Sequence, residues 1–306
     1  MKQTIRLMKR VILRLFRPSQ VASDPYPRRY RVGRKADLYF NFHLGSAEDK
    51  TFSQEGKVLS SSFIYDRFVK DGDVVVDVGA NSGFHTAYLA RLVNQDGNKK
   101  SQGRVYALEP VPWVYRRLVA NVYLNRLDHV ILVNKGAGSQ VCEKKMFLVR
   151  EARPEQALHS FVKYEKLSSL PEADVKEVLL PIVSLDSLLL YEKKVNFIKI
   201  DVQGYELEVL KGAMAVLEKH KPVLLFEYVQ SRLDYLHLDH HQFEKLLSRY
   251  FCYEIYPPSG DFTSFSLTPF LFDRTFTGGT MLCIPDCIDQ TANVLSLMSN
   301  KVDGES

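Results

Sequence analysis

Apolar runs typical of buried strands alternate with helix-like segments along residues 74–250. Runs of the kind found in strands covered on both faces are located at 74–78, 105–109, 129–133, 195–201 and 223–227. Segments with helical spacing lie between or after them, at 83–93, 114–124, 205–219 and 241–250. This alternation predicts an α/β fold with a parallel sheet and helices on both faces. Two later apolar runs, 252–256 and 280–284, are expected to pair antiparallel at one sheet edge.

The segments outside this pattern divide the chain. Residues 1–17 predict a basic amphipathic helix, residues 18–60 a linker and cap with a short strand at 39–43, and residues 286–306 a tail. The main domain is then 61–285. It carries an irregular insertion, roughly 138–185, after the third strand of the pattern. Because insertions after strand ends often cover the ligand crevice of an open α/β sheet, this one is expected near the substrate site.

The charge distribution changes the meaning of the net charge. The chain has 306 residues, 45% of them hydrophobic and 25% charged, as in an ordinary globular protein. Its formal net charge of +5 would suit a weak nucleic-acid binder. However, the first 35 residues hold 11 Lys/Arg against one acid, and the remainder holds 30 basic against 35 acidic side chains. The body is therefore slightly acidic, and no nucleic-acid partner is expected.

Two features of the sequence indicate where the protein is located: residues 1–17, which we call the leader, and the cysteines. In residues 1–17 the apolar positions follow helical spacing with the basic ones mostly off that face, which suits a helix on an anionic membrane surface. A helix docked on its own domain and a frayed tail are the open alternatives, and the apolar run is too short to span a membrane. Cys142, Cys252, Cys283 and Cys287 lack metal-ligand spacing. We expect reduced cysteines in a cytoplasmic protein, which is membrane-peripheral if residues 1–17 bind a membrane surface.

A glycine-containing turn joins the first strand to the first helix, with the sequence Asp77-Val78-Gly79-Ala80-Asn81-Ser82-Gly83. Its glycines allow a sharp turn and close approach of the backbone to a ligand. Asn81 stands where a dinucleotide fingerprint needs its second glycine, and the phosphate-binding G-K-[ST] is absent. The turn therefore predicts a nucleoside ligand without a pyrophosphate. The alternative is a tight turn with no ligand.

Carboxylates end three of the predicted strands. Glu109 follows the second strand, where an acid can accept hydrogen bonds from both ribose hydroxyls. Asp201 and Glu227 follow the fourth and fifth strands and are candidates for positioning an acceptor and removing its proton. Alternatively, Asp201 caps the next helix and Glu227 is a structural acid. Glu206, near the start of that helix, either acts on substrate or interacts with the helix dipole.

The histidines give weaker indications. His85 lies in the first turn of a helix, where it could approach the ligand, although exposure on the helix surface is the default expectation. His159, in the insertion, is an open candidate for a base. The group His237, Asp239, His240 and His241 resembles a set of metal ligands, but a polar connection before a helix predicts a solvated loop. No metal site is expected.

Taken together, these motifs resemble the FkbM family of S-adenosylmethionine-dependent methyltransferases over roughly residues 60–285. The resemblance rests on the segments 76–84, 107–110, 184–188, 198–206 and 210–213. It implies a class I methyltransferase fold: Rossmann-like and doubly wound, with a mostly parallel seven-stranded sheet and an antiparallel edge strand. It also implies S-adenosyl-L-methionine as the donor and transfer to a hydroxyl of a sugar, glycan or secondary metabolite.

The resemblance also implies roles for individual residues. Asp77, Gly79, Asn81 and Gly83 would line the methionine end of the donor, and Glu109 would hold its ribose. Gln203 stands where the family often has Glu, which removes it as an acid or base.

Two other function classes stay open, with a third disfavoured. An NAD-dependent Rossmann oxidoreductase would bind NAD rather than S-adenosylmethionine, and an inactive methyltransferase-like binding module would bind the donor without turnover. A nucleic-acid methyltransferase often has an N/D-P-P-Y/F-like motif, which residues 256–259 do not supply. No pattern in the sequence identifies the methyl acceptor or the oligomeric state.

Overall fold

The computed structural model describes residues 28–32, 36–40, 61–95, 103–149, 159–163, 165–256, 266–270 and 279–288. The predicted leader helix at 1–17 and nearly all of the predicted tail lie outside these ranges. The strands are β1 (Arg28–Val32), β2 (Ala36–Phe40), β3 (Val74–Val78), β4 (Arg104–Leu108), β5 (Val130–Val133), β6 (Gly136–Ala137), β7 (Cys142–Val149), β8 (Val175–Val183), β9 (Phe197–Ile200), β10 (Val223–Tyr228), β11 (Tyr250–Tyr256), β12 (Ser266–Pro269) and β13 (Gly279–Pro285). The α-helices are α1 (Ser62–Phe68), α2 (Phe84–Val93), α3 (Pro112–Leu124), α4 (Glu165–Ser168), α5 (Leu185–Leu188), α6 (Glu206–Lys211), α7 (Met214–His220), α8 (Gln230–Tyr235) and α9 (His241–Leu246).

The central sheet has the strand order β12-β11-β13-β10-β9-β3-β4-β5. The strands from β10 to β5 in that order are parallel to one another, whereas β13, β11 and β12 pair antiparallel. The expected α/β fold is confirmed, as is antiparallel pairing of the two late apolar runs. The sheet has eight strands rather than the seven expected, because β12 adds to the outside of β11.

Two apolar layers cover the faces of the sheet. Every residue of β3 is buried, and its side chains alternate between the layers. Val75 belongs to the layer that contains Tyr88 of α2, and Val76 to the layer that contains Leu210 and Leu217 of α6 and α7. Each such fully buried aliphatic side chain contributes on the order of 1.5–3 kcal/mol. The two-sided burial explains why these strands read as continuous apolar runs.

The helix expected over 205–219 is two helices, α6 and α7, separated at Gly212. A Cβ at Gly212 would overlap the backbone carbonyl of Gly138, so the chain comes close to another segment there. A residue from another segment caps the start of α7: the Asp186 carboxylate accepts hydrogen bonds from the backbone N–H groups of Ala215 and Val216, at 3.2 and 2.9 Å. These otherwise lack partners at the start of a helix.

The insertion contains regular structure that the sequence analysis missed. Strands β7 and β8 form an antiparallel pair from Cys142↔Ile182 to Val149↔Val175, and β6 joins β8 in parallel. One face of the pair packs against the start of α3 through Met146, Leu148 and Ile182. The opposite face carries the exposed ion pair of Lys145 and Glu177, as expected for a strand pair with one face exposed. The small sheet therefore lies over the carboxyl ends of the parallel strands.

The expectation of reduced cysteines is wrong for one pair. Cys252 of β11 and Cys283 of β13 are directly opposed in register and form a disulfide. Cys142 and Cys287 are free thiols. None of the helices in the described ranges is long and apolar enough to cross a membrane.

Candidate active site

A cavity of about 240 Å³ lies at the carboxyl ends of β3, β4, β5 and β9, against the inserted sheet. Of the predicted site residues, Gly79, Asn81, Glu109 and Asp201 line it, whereas Asp77, Gly83 and Glu227 do not. Its wall also includes residues that the sequence analysis did not select or left open: Ser82, Phe84, His85, Pro110, Val114, Lys135, Met146, His159, Phe161, Lys199, Val202 and Gln203. The insertion therefore contributes directly to the cavity wall.

The glycine-containing turn is shaped by close packing of the backbone. Gly79 has φ +76°, and the N–H groups of Gly79 and Ala80 donate to the carbonyl of Leu108 at 3.1 and 2.9 Å. A Cβ at Gly79 would overlap the carbonyl of Asp201. Gly83 has φ +92° and packs against Leu118 of α3 rather than facing the cavity. The turn thus holds two strand ends together and leaves its outer surface open.

A buried ion pair lies beneath this turn. Lys199 Nζ is 3.0 Å from Asp77 Oδ1 and 3.3 Å from the Gly79 carbonyl oxygen, and Thr86 donates to Asp77 Oδ2 at 2.6 Å. Burial acts to raise the pKa of Asp77, but the charges of Lys199 and His85 together with the hydrogen bonds from Thr86 and Lys199 outweigh it, and the pKa is lowered. Asp77 is fully buried, so the structure makes it a support for the turn rather than a wall of the cavity.

Glu109 lies where the sequence analysis expected it. Its two carboxylate oxygens each accept one backbone N–H, Oε2 from Asn81 at 3.1 Å and Oε1 from Val111 at 2.9 Å. Burial raises the pKa of Glu109 to about 7. A carboxylate has about four lone-pair sites, so two remain for ligand hydroxyls. The buried Glu109 carboxylate lies beside the glycine-containing turn, where no side chain at Gly79 blocks the backbone. This arrangement fits the ribose end of a nucleoside.

The turn after β9 positions Asp201. Gln203 and Gly204 both have positive φ, +56° and +99°. Gln203 Nε2 donates to Asp201 Oδ1 at 2.8 Å, and Glu206 Oε1 accepts the N–H of Val202 at 3.1 Å. Glu206 also accepts the N–H of Gly204, and burial raises the pKa of Glu206 to about 7. Glu206 thus stabilises the turn and is absent from the cavity wall.

Glu227 reaches this turn through a chain of polar contacts. Arg232 donates to Glu227 Oε2 at 2.6 Å and to Gln203 Oε1 at 3.2 Å. The resulting chain runs Glu227–Arg232–Gln203–Asp201, and only its last two members line the cavity. Sequence reasoning dismissed Gln203 as an acid or base, but it missed that an amide both donates and accepts, and so links two charged groups.

Two histidines enter the cavity wall. For His85 the default expectation was the helix surface and the alternative was an approach to the ligand. It lines the cavity, as in the alternative, and its Nδ1 lies 2.7 Å from the hydroxyl of Tyr65. His159 Nδ1 accepts the N–H of Val149 at 2.9 Å, and its ring packs edge-on against Trp113. Burial, with the Arg117 charge, lowers the pKa of His159 to about 4.

The polar connection before α9 lies apart from the cavity. One potential ligand atom from each of Asp239, His240 and His241 lies within 4.8 Å of the others. His241 Nδ1 is also 3.0 Å from Glu244. Asp239 and His241 are exposed, as the solvated-loop prediction requires. That no metal binds there stays a prediction.

Comparison with known proteins assigns the chain to a family. The model of the methyltransferase FkbM domain matches residues 77–268, which is more than half of the chain. "Methyltransferase 1" from Beauveria bassiana is 25% identical over 153 residues, covering 46% of this chain. The match spans 59% of the length of that relative.

Solved methyltransferase structures are also similar. A methyltransferase FkbM from Methylobacillus flagellatus has 19% sequence identity and a TM-score of 0.42, covering 72% of this chain and 47% of its own. A putative methyltransferase from Streptococcus mutans, in complex with SAH, has 10% identity and a TM-score of 0.39, covering 74% and 98%. The match of the family model decides the assignment. The chain belongs to the FkbM methyltransferase family, and its cofactor is S-adenosylmethionine.

Proposed function

We propose that the protein transfers a methyl group from S-adenosylmethionine to a hydroxyl oxygen of a sugar, glycan or other small metabolite. One observation carries this proposal: the Asp201 carboxylate lines the same cavity as Gly79 and Glu109. A carboxylate beside the expected donor site can accept a hydrogen bond from a hydroxyl and orient its oxygen. It also offsets the positive charge of a sulfonium.

The glycine-containing turn and Glu109 bind the donor in this proposal. Gly79 and Asn81 give the methionine end a close approach to backbone, and Glu109 accepts hydrogen bonds from the ribose hydroxyls. When bound, S-adenosylmethionine supplies a methyl carbon already activated by its sulfonium. The protein therefore has two tasks: to align the acceptor oxygen with that carbon, and to provide for loss of the hydroxyl proton.

Asp201 aligns the acceptor in this proposal. Gln203 holds one of its oxygens, so the carboxylate has a defined orientation toward the cavity. Glu227 acts as a positioning residue: through Arg232 it fixes Gln203 and so Asp201. This differs from direct proton removal by Glu227, because its carboxylate is committed to the guanidinium and lies off the cavity wall.

The test combines donor binding with turnover. Calorimetry measures S-adenosylhomocysteine binding, and labelled S-adenosylmethionine is offered with a panel of hydroxylated metabolites and glycans. We expect turnover of a hydroxyl acceptor. Asp201→Asn should bind donor normally with turnover lost, and Glu109→Ala should bind it at least tenfold more weakly.

Glu177→Gln, which changes an exposed carboxylate on β8, is the matched control and should match wild type. Full activity in Asp201→Asn, or methylation found only on nitrogen, contradicts the proposal.

A further inference from the structure

His85 occupies a place that an ordinary surface histidine does not. It lines the cavity together with Asn81, Ser82 and Asp201. Its Nδ1 is engaged by the Tyr65 hydroxyl at 2.7 Å, and the Tyr65 ring packs edge-on against the imidazole. Its Nε2 makes no hydrogen bond within the described chain and is not among the polar atoms sealed from solvent there. One ring nitrogen is therefore held, and the other is available to a ligand.

Tyr65 is built to hold that ring. The phenol is fully buried, and its hydroxyl also interacts with the Ser61 side chain. Burial, with the nearby Asp77 charge, raises the pKa of Tyr65 well above its ordinary value, so the phenol keeps its proton. In the tautomer that carries its proton on Nδ1, His85 donates to the Tyr65 oxygen and Nε2 carries a lone pair. Proton acceptance at Nε2 requires this tautomer.

We propose that His85 takes the proton of the acceptor hydroxyl at Nε2, and that Tyr65 positions the imidazole for this step. The inference rests on the proposed transfer to a hydroxyl and names its base. Asp201 then orients the hydroxyl, and His85 removes the proton.

The charges around His85 suit a base of this kind. Burial and the Lys199 charge lower the pKa of His85 to about 4, and Asp77 and Asp201 act in the opposite direction. The imidazole is thus unprotonated at neutral pH. Tyr65 is the fourth titratable group beside it, and it stays neutral. A histidine in this state can accept a proton without first having to lose one.

The step balances in atoms and charge. The hydroxyl oxygen bonds to the methyl carbon as the sulfur–carbon bond breaks, and that bond's electron pair goes to sulfur. The hydroxyl proton passes to Nε2, and the new imidazolium donates through Nδ1–H to Tyr65. One positive charge is lost at sulfur as one appears on His85. The sulfonium cation of a bound donor would also disfavour protonation of His85, and this cation is lost in the step that protonates the imidazole.

The first experiment needs no acceptor. Ring-nitrogen NMR of the full chain at pH 5 compares complexes with S-adenosylhomocysteine and with S-adenosylmethionine, and His85→Gln identifies the resonances. With the cationic ligand the protonated fraction of His85 should be several-fold smaller than with the neutral ligand. Equal fractions in the two complexes overturn the proposal, since His85 would then not face the reacting centre.

The second experiment uses turnover of an acceptor found in the panel. His85→Gln should lower kcat at least 100-fold with the dissociation constant for S-adenosylhomocysteine within threefold of wild type, and Tyr65→Phe should lower kcat about tenfold. Added imidazole should restore part of the activity of His85→Gly, in proportion to its unprotonated form. His129→Gln is the control, because His129 binds the Ala90 carbonyl away from the cavity.

The outcomes separate the two proposals. Wild-type kcat in His85→Gln, or no response of His85→Gly to imidazole, overturns the role of His85 and leaves hydroxyl methylation standing. If no hydroxyl acceptor is turned over, the proposed function fails. The NMR comparison then still decides whether His85 faces the donor.

Discussion

The buried pair of Asp77 and Lys199 permits a quantitative prediction for Asp77→Asn. The carboxylate is fully buried, and Lys199 is 6% exposed, so the substitution leaves an ammonium group with little solvent. Within the described residues, its other hydrogen bond is to the Gly79 carbonyl at 3.3 Å. Leaving one member of a buried pair without its partner costs about 3–5 kcal/mol. Against a typical total stability of about 5–15 kcal/mol, that is a large fraction.

A double-mutant cycle tests the cause of this loss. Lys199→Met alone leaves the Asp77 carboxylate buried without its cation, although Thr86 still donates a hydrogen bond to it. The double variant removes both charges. We expect it to be less destabilised than the sum of the single variants, by about 2–3 kcal/mol. Because the folded-state pKa of Asp77 is lowered, its stabilising contribution is present above its unfolded-state pKa and is lost as pH falls through the folded value.

Urea unfolding followed by circular dichroism measures these free energies. The exposed pair of Lys145 and Glu177, at 3.1 Å, is the matched control, and Glu177→Gln should change stability by less than about 1 kcal/mol. An Asp77→Asn variant destabilised by less than about 1 kcal/mol, or an additive cycle, would refute the reasoning.

Four further predictions concern the donor site, the turn after β9 and the leader (residues 1–17). Gly79→Ala should abolish donor binding by calorimetry and destabilise the fold by several kcal/mol, because its Cβ overlaps the Asp201 carbonyl; Gly72→Ala, with φ +86° and open space around it, should cost only about 1 kcal/mol. Because burial raises the pKa of Glu109 to about 7, donor affinity should rise between pH 6 and pH 8, while the apo protein should lose stability as pH rises through about 7; a Glu109→Gln variant that keeps both trends contradicts this. Arg232→Met should lower kcat about tenfold with donor affinity unchanged, because Gln203 loses one of its two charged partners; unaltered turnover means that the chain from Glu227 does not position Asp201. Deleting residues 1–17 should abolish co-sedimentation with anionic liposomes and spare turnover of a dissolved acceptor; equal sedimentation of both forms argues against a membrane-binding leader.

The sequence predicted features that depend on local pattern. Residues 74–78 were recognised as a strand because both faces are buried, and the turn at Gly79 because few residues other than glycine tolerate such backbone. Glu109 was placed correctly because strand ends in a parallel sheet share one edge.

Features that depend on packing between distant segments were not predicted. The contact between Tyr65 and His85 requires α1 and α2 to pack side by side. The pair β7–β8 was missed because charged residues interrupt both strands, at 143–145 and at 176–177, so neither strand is apolar over its whole length. The role of Gln203 depends on Arg232, 29 residues away, and no local pattern selects that partner. The disulfide depends on the register of β11 against β13.

The position of β13 has a consequence for the order in which the protein folds during synthesis. Strands β10 and β11 follow one another in the sequence, but in the sheet β13 lies between them. Neither can gain this neighbour until residues 279–285 have left the ribosome, which at about 5–20 residues per second is about 1.5–6 seconds after β11. During that interval β10 and β11 each present an unpaired edge. We therefore expect that a nascent chain stalled before residue 279 is the form most exposed to aggregation and most dependent on chaperones.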